Sequence, residues 1–113
     1  MKKKPAVSTT QTIAAKNADR LGAALAMFKI DRRVTTQAGR FGGASLRVDG
    51  VIFAMAIKGE LAVKLPIADA EAVIEDGRGR PLVMGARTMR EWIVLADDDE
   101  SLIKKARDHA ADW

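Results

Sequence analysis

The sequence predicts an α+β domain: an antiparallel sheet of about five or six strands, with an N-terminal helix and two further helices packed on it. Three observations carry that prediction. Arg40–Leu65 (RFGGASLRVDGVIFAMAIKGELAVKL) reads as three short antiparallel strands in a row, turned at Asp49-Gly50 and Lys58-Gly59. Apolar residues return at helical spacing in three other stretches, within residues 14–28, 67–74 and 102–113. Leu82–Met84 and Glu91–Ala96 supply further short β-rich runs.

At 113 residues the chain is one domain of ordinary size. Such a chain buries roughly two thirds of its unfolded surface, so it needs no metal or disulfide to fold. It has no cysteine, which removes disulfide scaffolds, thiolate metal sites and cysteine nucleophiles together. Five aromatic residues (Phe28, Phe41, Phe53, Trp92 and Trp113) leave the core to Ala, Val, Ile, Leu and Met. The net charge is +4, unevenly spread: residues 1–40 hold nine Lys/Arg against two Asp, and residues 41–113 hold ten against thirteen Asp/Glu. The basic character therefore belongs to the tail and first helix, not to the sheet. Lys2, Lys3 and Lys4 imitate the charged start of a signal peptide. Gln11, Lys16, Asn17, Asp19 and Arg20 interrupt the apolar run that one requires. The expectation is a cytoplasmic protein with no membrane partner.

In chain order, Met1–Val7 reads as a disordered basic tail, and residues 8–113 as a single domain. Ser8-Thr9-Thr10 offer N-cap hydroxyls for a helix to about Phe28, with Ala14, Ala18, Leu21, Leu25 and Phe28 on one face. Gly22 would let another element approach closely. Lys29–Arg33 is a charged connection, and Val34-Thr35-Thr36 suits a short strand. The paired glycines of Phe41-Gly42-Gly43 signal a bulge or a close backbone approach. They lead into a strand and lack a following lysine and serine, so they do not form a phosphate loop. Ser45–Asp49 alternates, with Leu46 and Val48 inward and Arg47 outward. Asp49-Gly50 signals a type I′ turn. Val51–Ile57 is apolar on both faces, as in a central strand covered on both sides. Glu60–Leu65 alternates again, with Leu61, Val63 and Leu65 on one face and Glu60 and Lys64 on the other.

These residues carry a resemblance. FGG, a strand, a DG turn, IFA, then GEL and VKLP resemble the N-terminal domain of the TfoX/Sxy family of bacterial regulators. Pro81–Trp92 (PLVMGARTMREW) is similar to that family's second block, with its proline-led strand, GR-like pair and Met-x-x-Trp. Arg40 stands where the family typically carries methionine, and Ala86 separates Gly85 from Arg87. The residues that carry the motif are Phe41, Gly42, Gly43, Gly50, Phe53, Lys64, Met89 and Trp92, and structural roles are expected for them. The YjbR-like family is the second choice of relative. The resemblance implies a sheet with helices on one side, and a link to control of competence-type gene expression through protein contacts. The fuller regulators carry a further helical domain, so this chain resembles the short stand-alone members.

Beyond Leu65, Pro66–Asp76 reads as a short helix with Gly77 at its C-terminal cap. Gly77-Arg78-Gly79-Arg80-Pro81 reads as a basic loop, and Arg87–Arg90 as a turn between strands. Trp92 is expected as an anchor in the sheet–helix layer. Asp97–Glu100 lacks the spacing of a calcium loop and fits a helix start, with an Asp N-cap and acids in the first turn.

No catalytic constellation emerges. The single histidine, His109, has no signalled carboxylate or nucleophile partner, and none of Ser8, Ser45 and Ser101 lies in a nucleophile elbow. The expectation is a non-enzyme with no catalytic residue, metal or cofactor. The first functional reading is a small regulatory or protein-interaction module, with a protein partner or a homodimer formed through a sheet edge or face. The alternative is a salt-sensitive nucleic-acid-binding accessory protein. Its candidate contacts are Lys2, Lys3, Lys4, Arg20, Lys29, Arg32, Arg33, Arg78 and Arg80. A third reading places a small-molecule pocket around Phe41–Gly43 and Trp92.

Overall fold

In a computed structural model of the chain, the described residues are 21–38, 44–57, 59–97 and 99–112. The expected tail, the helix start at Ser8–Thr10 and the Phe41-Gly42-Gly43 motif lie outside them. The described part of α1 spans residues 21–26. Then follow β1 (Val34–Ala38), β2 (Ala44–Val48), β3 (Val51–Ile57), β4 (Glu60–Lys64), α2 (Ile67–Glu75), β5 (Gly79–Met84), β6 (Arg87–Leu95) and α3 (Glu100–Ala111). The strands form one antiparallel six-stranded sheet in the order β1-β2-β3-β4-β6-β5. This is the α+β class the sequence predicts.

The predicted meander is present. Asp49 and Gly50 take φ of 51° and 83°, the paired positive values of a type I′ turn, and join Val48 to its partner Val51. Gly59, at φ 78°, serves the β3–β4 connection. β3 lies between β2 and β4. The pairing of β2 with β3 steps from Leu46↔Ala54 to Arg47↔Ile52, which leaves Phe53 as the extra residue of a bulge. Phe53 and Ala54 therefore both turn to the helix side, and both are fully buried. Phe28, just after α1, meets Phe53 edge-on, with ring centroids 5.5 Å apart and planes at 84°.

The described helix residues pack on one face. Leu21, Ala24 and Phe28, then Ala70 and Val73 of α2, then Leu102, Ile103, Ala106 and Ala110 of α3 join Leu46, Val48, Leu61, Val63, Leu65 and Ile93 in one core. α3 starts where the acidic run predicts. The Asp99 carboxylate accepts from the N–H groups of Ser101 (3.1 Å) and Leu102 (3.3 Å) and from the Ser101 hydroxyl (2.8 Å). Those bonds, the Ser101 hydroxyl first, hold Asp99 below the usual carboxylate range. α2 closes on Gly77 (φ 74°): its N–H donates to the Ile74 carbonyl, and the Arg78 N–H donates to that of Val73. This pair of bonds is a Schellman motif.

Three expectations are corrected. The basic Gly77–Pro81 stretch is not a loop, because β5 begins at Gly79. Arg87–Arg90 is not a turn but the start of β6; the chain reverses at Gly85-Ala86, where Gly85 accepts φ 61° and Met84 pairs with Arg87. Trp92 is buried, but not in the sheet–helix layer. Its register opposite Lys64 puts it on the far face of the sheet. There it forms a second cluster with Ala62, Leu82 and Val94, flanked by Ile52, Met55, Ile57 and Met89. No described helix residue belongs to that cluster. The apolar pattern of β3 thus serves two cores, one under the helices and one on the opposite face.

Candidate functional site

Among the described residues, the basic candidates are spread and largely neutralised. Lys2, Lys3, Lys4 and Arg20 lie outside those residues. Lys29, Arg32 and Arg33 precede β1, at one edge of the sheet, whereas Arg78 and Arg80 accompany β5 at the opposite edge. Arg33 is held by Asp49, its Nε donating to both carboxylate oxygens at 3.0 and 2.9 Å and its Nη2 also donating to Asp49. This contact lowers the Asp49 pKa and raises that of Arg33. Arg78 bridges Asp76 (3.4 Å) and Asp99 (3.5 Å). Arg80 makes a two-pronged pair with Glu60, at 2.9 and 2.6 Å, reaching from β5 to the start of β4. Lys29 and Arg32 are exposed and have no ion pair among the described residues. The described members of the nucleic-acid set therefore lie at opposite edges of the sheet and do not form one surface among themselves.

Asp31 explains part of this order. Burial pushes its pKa up, but hydrogen bonds from Arg107 Nε (2.9 Å) and the Arg33 N–H (3.0 Å) outweigh it, and the net shift is downward. Asp31 thereby ties the turn after α1 to α3. No group of three His, Asp or Glu with metal-binding geometry occurs among the described residues. Ser45 is buried in β2 with its hydroxyl 3.4 Å from the Gln37 carbonyl oxygen, and the Ser101 hydroxyl is spent on the α3 cap. No described helix is long and apolar enough to cross a membrane.

What the fold does bring together is a groove at the β6 end of the sheet, of ≈ 390 Å³ and open to solvent. Lys64, Arg87, Met89, Arg90, Glu91 and Trp92 line it. Lys64 lies 3.8 Å from Glu91, and Arg90 reaches Glu71 at 3.3 Å. Three residues that carry the family resemblance, Lys64, Met89 and Trp92, meet here although the first is distant in sequence from the other two. Gly50 and Phe53, by contrast, serve the β2–β3 turn and the helix-side core. Sequence reasoning missed Arg87, Arg90 and Glu91 as neighbours of Lys64. The Lys64↔Trp92 pairing, a contact between non-consecutive strands, creates that neighbourhood.

A second, smaller hollow of ≈ 140 Å³ lies along β5, between the Arg80–Glu60 pair and Leu82, Val83 and Met84. Val83 and Met84 are large apolar residues left 55% and 45% exposed on this edge strand. No family model matches the chain, and no curated protein and no solved structure matches it significantly.

Proposed function

We propose that the chain is a small protein-interaction module of the regulatory kind implied by its resemblance to the TfoX N-terminal domain. Its contact surface is the β5–β6 end of the sheet. The observation that carries this reading is the exposure of two large apolar side chains, Val83 and Met84, on the edge strand β5 at the hollow they line with Pro81, Leu82 and Val94. Exposed large apolar side chains beside an apolar hollow are the usual make-up of a protein-binding patch. Pairing through the main chain of β5 is hindered by Pro81, which has no N–H to offer, so side chains rather than strand addition would make the contact. The resemblance extends this reading to control of competence-type gene expression.

The alternative, nucleic-acid binding, draws on Lys29 and Arg32, exposed and without an ion pair among the described residues, and on the basic N-terminal stretch of the sequence. A pull-down with the tagged full chain, run with and without nuclease and at two salt concentrations, separates the two. The module reading expects a protein partner that survives nuclease and is lost when Val83 and Met84 are replaced by serine. Recovery that vanishes with nuclease and falls steeply with salt would replace it with the nucleic-acid reading.

A further inference from the structure

We infer that the β6 groove receives an acidic peptide segment bearing an apolar side chain, which rests on the interaction-module reading and names the partner's chemistry. The groove exists because β6 is only partly paired there. Its register with β5 steps from Pro81↔Ile93 to Leu82↔Met89, so residues 90–92 are passed over by β5. The ladder with β4 ends at Lys64↔Trp92, beyond which the Leu65 N–H still donates to the Glu91 carbonyl at 2.9 Å. Backbone irregularity in a strand re-aims side chains, and here it turns cations and apolar groups toward one hollow.

The charge of that hollow selects the occupant. Three cations, Lys64, Arg87 and Arg90, line it against one acid, Glu91. Arg87 is exposed and has no ion pair among the described residues. The Arg90–Glu71 pair is exposed on both sides, so its release costs little. Met89 and the nearly buried Trp92 provide an apolar floor between these charges. Carboxylates on Arg87 and Arg90, with an apolar side chain against Met89 and Trp92, match the cations and the apolar floor, and a peptide can space its acids to leave Glu91 facing an uncharged residue. Two other occupants fit less well. A phosphate backbone would bring a regular row of charge against Glu91. A small metabolite needs a site that encloses most of its surface, which an open groove does not do.

The test is a titration of the full ¹⁵N-labelled chain with a short capped peptide alternating glutamate and leucine. Two control peptides replace glutamate by lysine or leucine by serine. The expected result is saturable shifts at the Trp92 indole N–H and the amides of residues 87–92, weakening as salt rises. Arg87→Glu should weaken binding by roughly tenfold. Equal binding of either control, or shifts confined to another surface, overturns the inference. So does a single-stranded oligonucleotide that moves the same amides when the acidic peptide does not. The parent reading fails separately: a lysate partner that ignores the Val83/Met84 substitutions overturns the contact surface, whatever the peptide does.

Discussion

Gly79→Ala tests the packing account at one atom. Gly79 opens β5 opposite Leu95, and its φ lies outside the left-handed region, so the backbone itself accepts alanine. Space decides the outcome. An added Cβ would lie 2.5 Å from Ile93 Cγ2, 2.9 Å from the Val94 carbonyl oxygen and 3.2 Å from Val73 Cγ1. Ile93 and Val73 are core residues, and the Val94 oxygen belongs to the backbone of β6, so none of the three yields freely. Overpacking of this kind costs about 1–3 kcal/mol. The smaller unfolded-state entropy of alanine returns about 0.4–1 kcal/mol. The balance is a loss of roughly 1–2 kcal/mol, or a Tm lower by about 4–8 °C for a domain near this size. Urea and thermal unfolding followed by circular dichroism read it directly. Gly22→Ala is the matched control: a Cβ there meets nothing within 4 Å in α1, and the substitution should stabilise by up to about 1 kcal/mol. A Gly79→Ala protein as stable as the parent would refute the placement of β5 against Ile93 and Val73.

Other outcomes follow from the same structure. Phe53→Ala, which empties the bulge position under Phe28, should cost about 3–5 kcal/mol in urea unfolding. Gly50→Ala, at φ 83°, should cost about 1–2 kcal/mol by the same assay, because alanine is strained in that region. Asp99→Ala should cost about 1 kcal/mol at neutral pH through loss of the α3 cap. Because the folded Asp99 pKa is depressed, the cap's contribution is complete above the unfolded carboxylate pKa and is lost as pH falls through the folded one. The gap between this variant and the parent should therefore close in acid, and a gap that persists there would contradict the cap's charge. Arg33→Ala removes an exposed pair and should change stability by no more than about 1 kcal/mol.

The sequence was most legible where local chemistry decides structure. Asp49-Gly50 announces its turn, Gly77 its helix end and Asp99 its helix start, because each depends on one residue's own dihedrals or its reach to nearby N–H groups. The alternation of Leu46 with Val48, and of Leu61, Val63 and Leu65, gave the buried face of two strands for the same reason. What stayed hidden depends on pairing across the chain. Arg87-Thr88-Met89-Arg90 looks like a turn because three of its residues face solvent, and only its ladder with β5 makes it a strand. Arg78-Gly79-Arg80 looks like a loop until Glu60 and Ile93 are brought alongside. Trp92 is recognisable as buried, but the face it occupies is set by its register opposite Lys64. The groove shared by Lys64 and residues 87–92 was illegible for that reason, since β4 and β6 are separated in sequence by α2 and β5.

The most direct test of the central claim is partner capture by the parent chain and by the Val83→Ser/Met84→Ser double variant, with nuclease present throughout. Both side chains are exposed, so the variant should fold like the parent, and circular dichroism checks that first. A nuclease-resistant partner should be retained by the parent and lost by the variant. Equal retention by both would contradict the claim and move the contact away from the β5–β6 end of the sheet.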